Sequence, residues 1–136
     1  MRTIKFRGKK LKNGEWLYGD LMQDDRGGYY VFPIDYDGLH KENKVDTDTI
    51  GQFTGLLDKN GKEIYEGDVL KVYYYGKSKV FGVVRFDEAR FYIDDEFMRN
   101  ELRVKAPMTV LFSHYQFEVI GNIHDNPELL KGGNNE

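Results

Sequence analysis

The side chains of this 136-residue chain that could carry chemistry are few and widely spaced. His114 and His124 stand ten residues apart, and neither has a second His or a Cys at the short spacing that zinc ligands use. Ser78 or Ser113 with His124 and Asp125 has the residue types of a nucleophile, a base and an orienting acid. Neither serine sits in the glycine-flanked elbow that exposes such a nucleophile. Glu63, Glu66 and Asp68 lie close together, but general acid–base work needs a partner group and a pocket, and turn or rim positions account for them better. His40, Asp46 and Asp48 could contribute to a cation site. The run lacks the alternating ligands, central Gly and closing Glu of a calcium loop, so these acids read as solvation. Gly51-Gln52-Phe53-Thr54-Gly55 has neither the length nor the Lys-Ser/Thr ending of a phosphate loop, and its glycines suit a bulge or a close strand crossing. The absence of cysteine excludes disulfides, thiol catalysis and thiolate metal sites. The expectation is a non-enzymatic protein with no catalytic residue, cofactor or metal.

Binding chemistry is better represented. Arg2, Lys5, Arg7, Lys9, Lys10 and Lys12 form a basic run without an acid, and Trp16 and Tyr18 follow as stacking surfaces. Farther on, Tyr73 and Tyr75 interleave with Lys77 and Lys79, with Lys71 close by, a mixture suited to stacking bases or clamping a peptide. The six bases of the run together with Tyr73, Tyr75, Lys77 and Lys79 make up the candidate interaction surface. Each group also has a plainer account. The basic run is explained by a solvated strand face and turn with Trp16 in the core, the tyrosines by amphipathic rim packing. A net charge of −3 and a pI near 5.7 argue against wholesale nucleic-acid binding, although a local basic face survives such an average.

Short β-branched and aromatic runs broken by Gly, Asn and Asp must position these residues. Ile4 and Phe6 alternate with Lys5 and Arg7, then Asn13-Gly14 turns the chain into residues 15–22. Gly28-Tyr29-Tyr30-Val31-Phe32 predicts a third strand ended by Pro33, and residues 35–48 read as a mobile polar loop. The centre of the chain is residues 47–72, strand, tight turn and strand, with Asn60-Gly61 suited to a type I′ hairpin and Gly67-Asp68 to a corner. Residues 69–75 and 80–86 form a further hairpin around Gly76 to Lys79, and Phe91-Tyr92-Ile93 continue as strand. Residues 94–105 carry the charge bias of a short helix or form an extended excursion. Residues 108–112 and 117–120 are short apolar strands. Asn126-Pro127 opens a capped helical turn that Gly132 closes. The pattern of Gly-Asp, strand, loop, and strand with an internal Gly is similar to the middle of SH3-like barrels.

Three motifs carry a family resemblance. GQFTGLLDKNGKEIYEGD within residues 45–72, FEVIGNIHDNPELL from Phe117 to Leu130, and the opening IKFRGK with its hairpin resemble, in order, the YopX family of bacteriophage and prophage proteins, whose function is not established. The resemblance implies a mainly β fold and a phage context, and it supplies no catalytic residues.

The expected architecture is mainly β, a small twisted sheet or SH3-like partly open β-barrel with a short helix near the C-terminus. One domain is expected over residues 1–131, with 132–136 a disordered tail. The expected function is that of a phage or prophage accessory protein, a non-enzymatic module that binds an unknown protein partner or associates with itself. The alternatives are a nucleic-acid-binding module using the basic hairpin and Tyr/Lys face, and a hydrolase with an unrecognised site. With no apolar run near the roughly 18 residues of a membrane span and no signal-type h-region after MRTIKFRGKK, the expected place is the cytoplasm of the bacterial host, without a membrane partner.

Overall fold

Strand formation follows the alternation of apolar and polar residues, and nine strands appear among the described residues of the computed structural model of the protein. It describes residues 1–33, 41–74, 77–95, 108 and 115–130, with the side chains of 41, 74 and 77–80 outside that description. In chain order the strands are β1 (Phe6–Lys9), β2 (Trp16–Gln23), β3 (Tyr29–Phe32), β4 (Gly51–Leu57), β5 (Glu63–Tyr65), β6 (Asp68–Tyr74), β7 (Lys77–Asp87), β8 (Arg90–Asp94) and β9 (Tyr115–Asn122). They form two antiparallel sheets, and the fold is mainly β. The sequence's helical turn after Asn126 appears as a 3-10 turn, Pro127–Leu130. Of the helix expected over 94–105, Asp94 ends β8 and residues 96–105 lie outside the described residues, as do 109–112 of the strand expected over 108–112.

The chain divides into two compact units, Met1–Gly55 and Leu56–Glu136. In the first unit the sheet order is β3-β2-β1-β4, and β4 runs on into the second unit, where β5 is its neighbour. Register decides what each face carries. Leu21 opposes Val31 and Gly8 opposes Leu17, so these residues share the inward face, where Val31 and Val45 are fully or almost fully buried. Burying each valine contributes about 1.5–3 kcal/mol. Gly8 lets Val45 approach closely here, since a Cβ would lie 3.0 Å from the Val45 Cβ, tighter than ordinary packing.

Residues 41–49 are built into this unit, contrary to the mobile loop expected for 35–48, of which 35–40 lie outside the described residues. Two 3-10 turns, Lys41–Asn43 and Thr47–Thr49, flank a short extended pair. Val45 N–H donates to the Tyr29 carbonyl, Asp46 N–H to Lys9 and the buried Asn43 amide to Val31. Asp46 caps the second turn by accepting from the Asp48 N–H, which gives that acid a backbone role.

In the second unit β6 is central to the order β8-β7-β6-β9. Its inward residues Leu70 and Val72 pack with Ile64, Val84, Ile93 and Phe117. Gly82 in β7 permits this closeness, since a Cβ there would fall 2.2 Å from Ile93 Cγ2. The Gly67 corner has φ 93°, and the following Asp68 is 2% exposed, accepting from the Tyr65 N–H at 2.8 Å. It is a buried turn anchor rather than a rim residue.

The hairpins close differently from the type I′ turns that the Asn-Gly pairs predict. Gly61 has φ 84° whereas Asn60 keeps negative φ, and Asp58 pairs with Lys62 across a three-residue loop. This is a type I turn ended by a left-handed glycine. At Asn13-Gly14 only Gly14 is left-handed, and Lys10 pairs with Glu15 across four residues. The two successive positive φ values occur instead at Glu88 (53°) and Ala89 (65°), between the paired Asp87 and Arg90 of β7 and β8.

Candidate functional site

The outward face of the first unit's sheet gathers the best candidate residues. Antiparallel pairing sets Lys9 opposite Trp16 and Arg7 opposite Tyr18, and by alternation Lys5 joins their face. On the other side of β2, Asp20 opposes Phe32 and Met22 opposes Tyr30. One face therefore carries a row of aromatics, Trp16, Tyr18, Phe32 and Tyr30, bordered by three cations of β1 and its approach. Tyr18 is 43% exposed, and the other three rings are half-buried. Trp16 is thus on the outer face rather than in the core.

Cation–π geometry holds this arrangement together. The Arg7 guanidinium lies 4.7 Å and the Lys9 ammonium 5.5 Å from the Trp16 ring centre, and Lys5 lies 5.6 Å from the Phe53 ring. Arg7 is only 5% exposed, so its charge is largely desolvated and its first role is to orient the indole. Tyr30 and Phe32 stack nearly parallel, 6.1 Å apart at 6°. Tyr30 is fixed by donating its hydroxyl to Asp24 Oδ2 at 3.0 Å. That bond raises the Tyr30 pKa above its ordinary value, while N–H donation from Gly28 leads the effects that hold Asp24 below its own.

The other basic residues of the run go elsewhere. Lys10 pairs with Glu15 at 3.5 Å, Lys12 with Glu42 at 3.4 Å, and Arg2 is exposed in the segment before β1. Of six bases, the sheet brings three onto the aromatic face.

The second predicted group belongs to the other unit. Tyr73 lies on the outward face of β6, where Lys59 and Lys71 stand 4.3 and 5.7 Å from its ring and Glu118 accepts its hydroxyl at 2.7 Å. Its pKa is raised, first by that bond. Lys59, Lys71 and Glu118 complete this cluster, and the sequence reading had left Lys59 and Glu118 out; no spacing marks residues 45 positions apart as partners. Lys77 and Lys79 occupy β7, and Tyr75 lies outside the described residues.

The buried carboxylates Asp58 and Asp68 serve backbone groups, and Glu63 accepts from the Tyr65 hydroxyl at 2.9 Å. Asp58, 7% exposed, accepts from Asn60 and Lys62 N–H through Oδ1 and from Val119 N–H through Oδ2. Burial alone would raise its pKa, but these donors and the Lys62 charge outweigh burial and hold it below the ordinary value. Asn122 Oδ1 accepts from the His124 and Asp125 N–H groups, so the His124-Asp125 pair belongs to a turn. Ser113 and His114 lie outside the described residues, and of Ser78 only its strand position is described. Among the described residues no three His, Cys, Asp or Glu side chains are grouped to hold a metal ion, and no helix is long and apolar enough to cross a membrane.

A shallow cleft of about 230 Å³ also opens in the first unit between Arg26, Tyr29, Lys44 and Asp46. It mixes both charges with the apolar edge of Leu11 and has no single chemical character.

These features define a two-sheet, mainly antiparallel β protein whose best-developed surface is an aromatic and cationic sheet face. The chain belongs to the YopX family: the family model, described as YopX protein, matches residues 5–131. Among solved structures it is similar to protein EF1440 from Enterococcus faecalis, with 27% sequence identity, a TM-score of 0.55, and coverage of 96% of this chain and 99% of that one. No curated protein matches the chain.

Proposed function

We propose that this protein is a phage or prophage accessory factor that acts in the host cytoplasm by binding another macromolecule, without catalysing a reaction. The observation that carries the reading is the outward face of β2 and β3. A sheet with one packed and one solvated side ordinarily turns polar residues outward, whereas here Trp16, Tyr18, Phe32 and Tyr30 line that side. Half-exposed aromatic area of this kind is costly to hydrate and is typical of recognition surfaces. The non-catalytic part draws support from Asp24 and Asp58, whose lowered pKa values keep them ionised as acceptors of backbone N–H groups rather than as proton donors.

Affinity capture of the tagged protein from host lysate, with and without nuclease, tests the proposal. It is run beside the Tyr18→Ala, Phe32→Ser double variant. The native chain should retain a stoichiometric macromolecule that the variant loses. Identical captures from both chains, or none from the native chain, would refute it.

A further inference from the structure

We infer that the aromatic face of the first unit is a binding site for single-stranded nucleic acid, with bases stacked on Tyr18 and its neighbours and phosphates held by Lys5 and Lys9. This deepens the proposed function and rests on it. The argument starts from register. Strand alternation places Lys5, Arg7 and Lys9 on the same side as Trp16 and Tyr18, with each of the latter two directly across from a cation. A row of planar rings with cations along its β1 border matches a ligand that carries planar bases along an anionic backbone, and the exposed Asp20, opposite Phe32 on the same face, confines the phosphate track to that border. A protein partner would need to supply that same combination along an extended segment.

Spacing agrees with this assignment. Neighbouring strands lie about 4.8 Å apart and same-face residues on one strand about 6.8 Å apart. The rings on β2 and β3 therefore stand at separations that an unstacked strand, with its extensible backbone, can follow from ring to ring. Arg7 is buried against the indole, so its positive charge stiffens Trp16 and adds to the local potential without having to reach solvent. Lys5 and Lys9 are half-exposed and lie on either side of it. A duplex, whose bases remain stacked inside, would offer the phosphates but not the rings. The face consequently favours single strands. The protein's net charge of −3 limits nonspecific attraction, which confines binding to this face.

The test uses the full chain and a fluorescein-labelled oligothymidylate, read by anisotropy and by quenching of Trp16, the single tryptophan. Affinity should fall with added salt at a log–log slope of about −1.4, from Lys5 and Lys9 at about −0.7 each on single strands. Tyr18→Ala should weaken binding about 5- to 100-fold, the loss of one stacked base. Tyr18→Leu, which keeps an apolar side chain on the exposed site, should weaken it similarly, separating stacking from folding. Lys9→Gln should flatten the slope by about 0.7, and Lys62→Gln, in the other unit, should leave binding unchanged. A matched duplex should bind more weakly. Absence of binding at low salt, or binding that Tyr18→Ala and Lys9→Gln leave unaltered, overturns the inference. If the lysate capture then still yields a nuclease-resistant protein that depends on Tyr18 and Phe32, the proposed function stands and only the ligand class is wrong. If that capture also fails, both fall.

Discussion

Replacing Ala89 by glycine should make this protein more stable, the reverse of the usual effect of that substitution within a strand. Glu88 and Ala89 have φ of 53° and 65° in the two-residue connection between Asp87 and Arg90. An L-residue in that region costs about 1–2 kcal/mol because its Cβ crowds the following carbonyl. Glycine has no Cβ, and Ala89 is exposed, so no packing is lost with the methyl. The greater freedom of glycine in the unfolded chain offsets about 0.4–1 kcal/mol of the gain. A net stabilisation of about 0.5–1 kcal/mol remains, equivalent to roughly 2–4 °C in Tm for a domain of this size. Glu88 is kept because its N–H donates to Asp87 Oδ1 at 2.8 Å and its carboxylate lies 3.8 Å from Arg90. Urea unfolding followed by far-UV circular dichroism is the assay, with Ala89→Val as the opposite perturbation, since a β-branched residue tolerates this region least. A midpoint that falls for Ala89→Gly, or one that Ala89→Val leaves in place, would refute the reasoning.

Gly82→Ala should destabilise by about 1–3 kcal/mol through overpacking, because the new Cβ meets Ile93 Cγ2 in a buried site. Adding Ile93→Ala should recover part of that loss, and strictly additive urea midpoints would contradict a direct clash. Asp58→Asn should cost about 1–3 kcal/mol, since an amide cannot accept from Asn60, Lys62 and Val119 N–H together. The sign of the pH effect follows from the lowered native pKa of Asp58. Its contribution is complete above the unfolded value near 3.9 and is lost as pH falls through the lower folded value. Thermal scans of both chains from neutral pH into strong acid should therefore converge below about pH 4, and a gap that stays constant would count against the assignment.

Much of the fold was legible because alternation is a local signal. Ile4 to Arg7, Tyr29 to Phe32 and Phe91 to Ile93 mark strands by residue type alone, and Gly67-Asp68 marks its corner. Turn geometry was less legible. Asn60-Gly61 and Asn13-Gly14 permit two left-handed residues, but Asp58 and Lys10 close longer loops in which only the glycine is left-handed. The segment 41–49 looked like solvated loop because its polarity conceals three inward residues, Asn43, Val45 and Thr49. The candidate site was half visible. The basic run and Trp16 stood out by composition, yet only pairing register tells that Lys9 meets Trp16 while Lys10 turns to Glu15, and a one-residue slip would reverse the faces. Phe32 and Tyr30 join the site across β2, a relation that exists only once the sheet is assembled.

The Asp58 carboxylate spans 61 positions of sequence to reach Val119, and Lys59 N–H donates to the Phe117 carbonyl beside it. The two segments by which the chain is most readily assigned to its family, DKNGK and FEV, are therefore two halves of one physical joint. Both groups that the closing strand contributes are main-chain groups, and every residue but proline supplies that N–H, so the joint fixes the path of the strand without dictating its side chains. The demand on side-chain type falls on position 58 alone, where only an ionised carboxylate accepts from all three N–H groups at once.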